Sequence, residues 1–191
     1  MIVNDIEAYY VKELNVSSII INVSFSINAT ENEELLVTLT SPDGLLTWES
    51  LALKASDGNK RYYTMPDIIL PYYISGEWTL TIARSDKSIT KKFTLNAPSN
   101  LDITIPGWFE TSTVTRASGG VYTVVSPYLQ RNQHVSISAY NPANKETINV
   151  GELNGEREKR ISVPFRTTGI IFTAIDPDYS DGFIFRHTQN F

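Results

Sequence analysis

The sequence predicts an all-β fold of two tandem β-sandwiches, immunoglobulin-like or jelly-roll-like, and three observations lead there. The first is the run from Ile19 to Asn28. Ile19, Ile21, Val23, Phe25 and Ile27 alternate in it with Ile20, Asn22, Ser24, Ser26 and Asn28. Successive strand side chains point to opposite faces, so one face here is apolar and the other is polar except at Ile20. Such a strand is expected to rest one face on a core and turn the other to water. The second observation is residue type: 10 Tyr, 8 Phe and 3 Trp stand among many Thr, Ser, Ile and Val, all strand formers. The third is punctuation. Ser41-Pro-Asp-Gly44, Ser56-Asp-Gly-Asn59 and Asn141-Pro-Ala-Asn144 place turn chemistry between the apolar runs, at strand spacing.

Element by element, Ile6–Leu14 reads as a first strand and Ile19–Ile27 as the second. Leu35–Thr40, Leu46–Leu53, Tyr62–Met65 continuing to Ile68–Leu70, Glu77–Ala83 and Ile89–Leu95 follow. Seven strands suffice for one sandwich of about 100 residues. Ala97-Pro-Ser-Asn100 reads as a linker, which sets domains at 1–97 and 98–191. Beyond it come Leu101–Ile105, Phe109–Thr115, Tyr122–Val125, His134–Tyr140, Thr147–Leu153, Lys159–Val163, Gly169–Ile175 and Phe183–Arg186. Asn154-Gly155, between two of these, is the strongest hairpin signal in the chain. The halves show no sequence repeat, and a single larger sandwich with shared sheets is the alternative.

Composition removes several function classes. There is no cysteine, which excludes disulfides, thiolate metal sites and thiol catalysis. The first half carries 12 acidic and 8 basic residues, the second 9 and 8, so neither offers a basic face for phosphate binding. Nucleic acid is therefore not an expected partner. No apolar run approaches the roughly 18 residues that span a bilayer, and membrane insertion is not expected. Met1-Ile-Val-Asn-Asp5 lacks the basic start and apolar core of a signal peptide. The expected location is extracytoplasmic (periplasmic, cell surface or secreted) with the leader absent from this chain. A cytosolic protein starting at Met1 is the other reading.

The stretch from Glu34 to Ile82 carries a resemblance. Leu35, Val37, Leu39, Ser41, Pro42 and Gly44 are followed by Gly76, Trp78, Thr79, Leu80 and Ile82. This is similar to the strand and turn pattern of the proprotein-convertase P-domain and related bacterial β-sandwich modules. The resemblance implies a sandwich and an accessory, non-catalytic role. The arginine-and-aspartate region and Trp-rich closing strand of that family have no counterpart here, so no binding residue carries over.

Catalysis is not expected. Only His134 and His187 could serve as imidazole acid–base groups, and neither has a triad or metal partner nearby in sequence. Ser118-Gly-Gly120 lacks a nucleophile-elbow pattern and reads as a turn. No cofactor is called for. Calcium is the one metal to consider, at Asp176-Pro-Asp-Tyr-Ser-Asp-Gly182, where Asp176, Asp178, Ser180 and Asp181 supply oxygens in a loop. The required glycine falls one place late there, and a plain Asp-rich turn accounts for the same residues.

Aromatic side chains are the better candidates. In the doublets Tyr9-Tyr10, Tyr62-Tyr63 and Tyr72-Tyr73, strand geometry should bury one ring and expose the other. Tyr63 and Tyr73, with Trp108 and Phe109, are the expected contact residues for a protein or glycan. Trp78 is expected in the core. Asn22 and Asn28, within sequons, are expected on a solvent face. The functional expectation is a non-catalytic binding or structural module of an exported or cell-envelope protein. A carbohydrate-binding accessory domain, with or without calcium, and a subunit docking through an edge strand are its alternatives.

Overall fold

The computed structural model describes residues 1–28, 34–57, 60–99, 104–174 and 183–191. The first half holds β1 (Val3–Glu13), β2 (Ile19–Ile27), β3 (Leu36–Thr40), β4 (Thr47–Leu51), β5 (Leu53–Asp57), β6 (Lys60–Thr64), β7 (Ile68–Leu70), β8 (Gly76–Arg84) and β9 (Lys87–Leu95). The second holds one helical turn, α1 (Gly107–Glu110), then β10 (Thr113–Arg116), β11 (Val121–Val125), β12 (His134–Asn141), β13 (Glu146–Asn154), β14 (Glu158–Ser162), β15 (Gly169–Ala174) and β16 (Phe183–Asn190). The described residues are all-β apart from α1.

The largest sheet runs β1-β16-β15-β12-β13-β5-β6-β2-β7, and β1 also pairs with β2. That last pairing closes eight strands into a barrel, with β7 hydrogen-bonded to β2 beside it. Four barrel strands come from each side of Pro98. Hydrogen bonds therefore join strands from the two sides of Pro98 in one sheet. Both crossings are parallel pairs. β1 meets β16 over four register positions and is extended by Leu14 N–H donating to the Arg186 carbonyl at 2.9 Å. β5 meets β13 over two, Ala55 with Thr147 and Ser56 with Ile148. Parallel neighbours need long connections, and here most of the chain provides them.

Two smaller sheets flank the barrel: β4-β3-β8-β9 and β10-β11-β14. The apolar residues of β2 (Ile21, Val23, Phe25) and of β8 (Trp78, Leu80, Ile82) are almost wholly buried in one core. Full burial contributes roughly 1.5–3 kcal/mol per large apolar side chain. In the second half, Val135 and Ile137 of β12, Phe172 of β15 and Phe185 of β16 play the same part.

The two motifs of the 34–82 stretch meet in space. Ser41 N–H donates to the Leu46 carbonyl and Gly44 N–H to the Ser41 carbonyl, closing the Pro-Asp turn. The Ser41 hydroxyl donates to Asp43 at 2.5 Å, and Leu45 N–H donates to the same carboxylate. Those bonds hold the Asp43 carboxyl below its usual pKa. Gly76 sits at φ 136° with its α-carbon against Pro42, where a β-carbon would come within 2.9 Å of the proline ring.

Four local expectations are corrected. Leu46–Leu53 is not one strand. It breaks at Ala52, whose N–H donates to the Leu35 carbonyl, and the chain passes from a flanking sheet into the barrel. Phe109 opens no strand: the Pro106 carbonyl accepts from Phe109 and Glu110 N–H and winds α1. Asn154-Gly155 turns the chain, but not into a hairpin ladder. β13 stays in the barrel, while β14 pairs with β11. Gly155, at φ 81°, lies against the Arg131 backbone, where a β-carbon would approach to 2.7 Å. The fourth is Asn22, which is half-buried and turned into the barrel.

Candidate ligand-binding lumen

Barrel closure encloses the faces that alternation had assigned to water. Along β1, Ile6, Ala8 and Tyr10 face the core, while Asp5, Glu7, Tyr9 and Val11 line the lumen. Along β2 the lumen takes Asn22, Ser24 and Ser26. β5 and β6 add Leu53, Ala55, Tyr62 and Thr64; β12 and β13 add Ser138 and Thr147; β15 and β16 add Ile171, Thr173, Ile184 and Arg186. The cavity measures about 590 Å³, within the range of roughly 300–1,000 Å³ usual for small-molecule sites. Asp5 and Glu7 are exposed, so the lumen meets solvent there.

Cross-strand register arranges these groups in rows. Asp5 stands opposite Ser26, Glu7 opposite Ser24 and Tyr9 opposite Asn22, and Ser24 is in turn opposite Thr64. The Ser26 hydroxyl donates to Asp5 at 3.2 Å, and the Asn22 amide donates to Thr64 Oγ1 at 3.3 Å. Asn22 is thus half-buried and engaged inside the barrel. Burial pushes the Tyr9 phenol above its usual pKa, and the Glu7 carboxylate adds to the effect, so Tyr9 stays neutral.

One end of the lumen is held by Arg186. Its guanidinium donates to Glu13 of β1 (Nε, 3.1 Å) and to Asp67 between β6 and β7 (Nη1, 2.9 Å), with a further contact from Nη2 to each. Thr188 Oγ1 donates to the other Glu13 oxygen at 3.0 Å. Burial works against the charge of Arg186, but hydrogen bonds and charge from Asp67 and Glu13 outweigh it and raise its pKa further. The described lining carries three carboxylates (Asp5, Glu7, Asp67) and one cation, a balance of −2.

The four aromatic residues expected to make contacts do not gather on one surface, and none lines the lumen. Trp108 is half-buried, edge-on to Phe109 at 5.7 Å, and Phe109 is fully buried beside Phe185. Tyr63 stacks on Phe25 at 5.8 Å. Tyr73 packs edge-on to Tyr10 at 5.0 Å and against Phe183. In two doublets the expected parity is therefore reversed: Tyr62 faces the lumen and Tyr72 is the exposed ring. Register forces this in β6, because Tyr63 lies opposite the core residue Phe25. Asp176, Asp178, Ser180 and Asp181 lie outside the described residues. Among the described residues no cluster of three or more His, Asp or Glu could hold a metal ion. No helix among them is long and apolar enough to cross a membrane.

The fold and site together define an all-β chain whose distinctive element is a barrel with a lumen lined by both polar and apolar side chains. No family model matches the chain, and no curated protein matches it. Among solved structures it is similar to the BSP domain of a biofilm-associated protein, with 13% identity and a TM-score of 0.35. That match covers 98% of this chain and 29% of the other, so the chain spans less than a third of that structure. It is also similar to a segment of two fibronectin type-III domains from chicken tenascin, with 11% identity, a TM-score of 0.29 and 99% coverage of both chains.

Proposed function

We propose that this chain is a non-catalytic binding module of an exported or cell-envelope protein, and that the barrel lumen is its receiving surface for a protein or glycan partner. One observation carries the reading: hydroxyl-bearing strand faces from both sides of Pro98 surround a single cavity of about 590 Å³. Burying polar groups stabilises a fold only when they are hydrogen-bonded, and an apolar filling would serve stability better. A roomy cavity that sets hydroxyls and carboxylates among apolar side chains holds water that an amphipathic ligand can displace. The accessory role implied by residues 34–82, and a cysteine-free composition, accord with an extracytoplasmic setting.

The test is a binding screen against immobilised glycans and peptides, comparing the chain with a lumen-filling Ser24→Trp variant of unchanged circular dichroism. Hits that disappear on filling support the lumen. Hits that persist on filling but vanish with Trp108→Ala move the surface to α1 and sink the proposal.

A second reading, assembly through an edge strand, is favoured by one feature. Leu36 and Leu51 form a cross-strand pair on the outer side of the sheet that β4 terminates, and they are 39% and 53% exposed. β9, the opposite edge, instead exposes Lys87, Lys91 and Lys92, side chains that discourage strand addition. Light scattering above monomer mass, reduced by Leu51→Lys, would support this reading. A monomer at all concentrations would remove it.

A further inference from the structure

The lumen wall is not uniform around its circumference. β1, β2, β6 and β5 stand consecutively in the barrel, as do β16, β15, β12 and β13, so each half supplies one continuous wall. The wall from the first half bears the carboxylates and the carboxamide, Asp5, Glu7 and Asn22, with Ser24 and Ser26, set among apolar side chains that include Phe25, Leu53, Met65 and the Tyr62 ring. The wall from the second half bears Ile171 and Ile184, with only hydroxyls and the engaged Arg186 as polar groups.

We infer, resting on the lumen reading above, that the ligand is an uncharged pyranose unit of a glycan. A pyranose has a rim of hydroxyls, each both donor and acceptor, and a face on which C–H groups form an apolar patch. The rim matches a wall that mixes carboxylate and carboxamide acceptors with serine hydroxyls. The C–H face matches Ile171 and Ile184, and an aromatic ring such as Tyr62 provides the same apolar contact with little entropy cost. Charge narrows the class. With three carboxylates against one guanidinium already held by Glu13 and Asp67, a sugar carrying carboxylate, sulfate or phosphate would meet repulsion on entering.

Because the chain has no cysteine, one thiol reports on the lumen alone. In a Thr173→Cys variant, the rate of N-ethylmaleimide labelling of the folded protein is measured with and without methyl glucoside, galactoside, mannoside and N-acetylglucosaminide. The expected result is brisk labelling that one of the four slows at least fivefold. Ser24→Ala and Ile184→Ser, added separately, should each weaken that protection by roughly threefold to tenfold with unchanged circular dichroism. Labelling that none of the sugars or their oligomers slows would overturn the pyranose and leave the lumen reading standing. A thiol that reacts only after denaturation would overturn both. Protection by extended peptides and not by sugars would replace the glycan with a protein partner. If Thr173→Cys fails to fold, Ser138→Cys reports from the same wall.

Discussion

Arg186 on β16 and Glu13 on β1 form an ion pair across 173 positions of sequence, with both side chains about one-sixth exposed. The pair sits where β1 and β16 close the barrel, and the same guanidinium reaches Asp67. Replacing it by Arg186→Met leaves two carboxylates facing each other without a cation. The expected loss is about 2–3 kcal/mol, below the full cost of breaking a buried pair because Asp67 is partly solvated. Urea unfolding measures it, and a loss under about 0.5 kcal/mol would show that the clamp contributes nothing special.

The weaker crossing, between β5 and β13, offers a direct test of closure. Ala55 and Thr147 are register partners and both face the lumen. A double variant, Ala55→Cys with Thr147→Cys, should form a disulfide under mild oxidation without loss of fold. It should raise the unfolding free energy by about 2–4 kcal/mol, as crosslinks over long loops do. If both thiols stay free in the folded, oxidised protein, the halves are not joined at this seam.

Tyr10 ties the barrel to the chain before β8. Its buried hydroxyl donates to the Ile74 carbonyl at 2.7 Å and accepts from Ile74 N–H at 2.9 Å. Tyr10→Phe keeps the ring contacts with Tyr73 and Phe183 but strands both backbone groups. A cost of about 1–3 kcal/mol is expected, read from the shift in urea midpoint at constant slope. A shift within error would mean that water replaces the hydroxyl.

Gly76→Ala should destabilise by about 2–3 kcal/mol, because it combines a left-handed backbone with a clash against Pro42. Gly107→Ala is the control, since nothing lies within 4 Å of its β-carbon position and its φ is ordinary. It should stay within about 0.5 kcal/mol of the parent chain. Equal effects at the two sites would refute the contact with Pro42.

His187 should make stability pH-dependent. Its ring lies 5.7 Å from Phe172, and its Nδ1 is buried with no hydrogen-bond partner among the described residues. Burial lowers its pKa, and the Glu13 carboxylate only partly opposes this. The folded state thus binds the proton less readily than the unfolded chain. Stability from this group is full above the ordinary histidine value of about 6.5 and falls as pH drops below it. Melting temperatures between pH 5 and 8 should fall toward acid, and His187→Phe should flatten that slope. An NMR titration placing His187 above 6.5 would reverse the sign and refute the account.

Most strands were legible because each depends on local chemistry. The alternating run around Ile19–Ile27 forms β2, and Trp78 is in the core as its strand pattern required, whereas Tyr62–Met65 does not run on into Ile68–Leu70 but gives two separate strands. The misses share a cause. Leu46–Leu53 reads as one strand, since nothing local marks Ala52 as the point where the chain changes sheets. Asn154-Gly155 specifies a turn but not which strand the chain pairs with after it. The lumen left only an ambiguous trace: the polar face of β2 was visible, yet it reads as exposed.

What the sequence alone determined is which side chains share a face. The two-residue repeat of a strand dictates that Asn22, Ser24 and Ser26 stand together, opposite Ile21, Val23 and Phe25. What that polar face confronts was decided only by the tertiary structure. Four register positions between β1 and β16, and two between β5 and β13, join strands far apart in the chain. Backbone hydrogen bonds carry no side-chain signature, so no pattern in the sequence announces them. Those pairings turn a surface that would have met bulk water into the wall of a cavity.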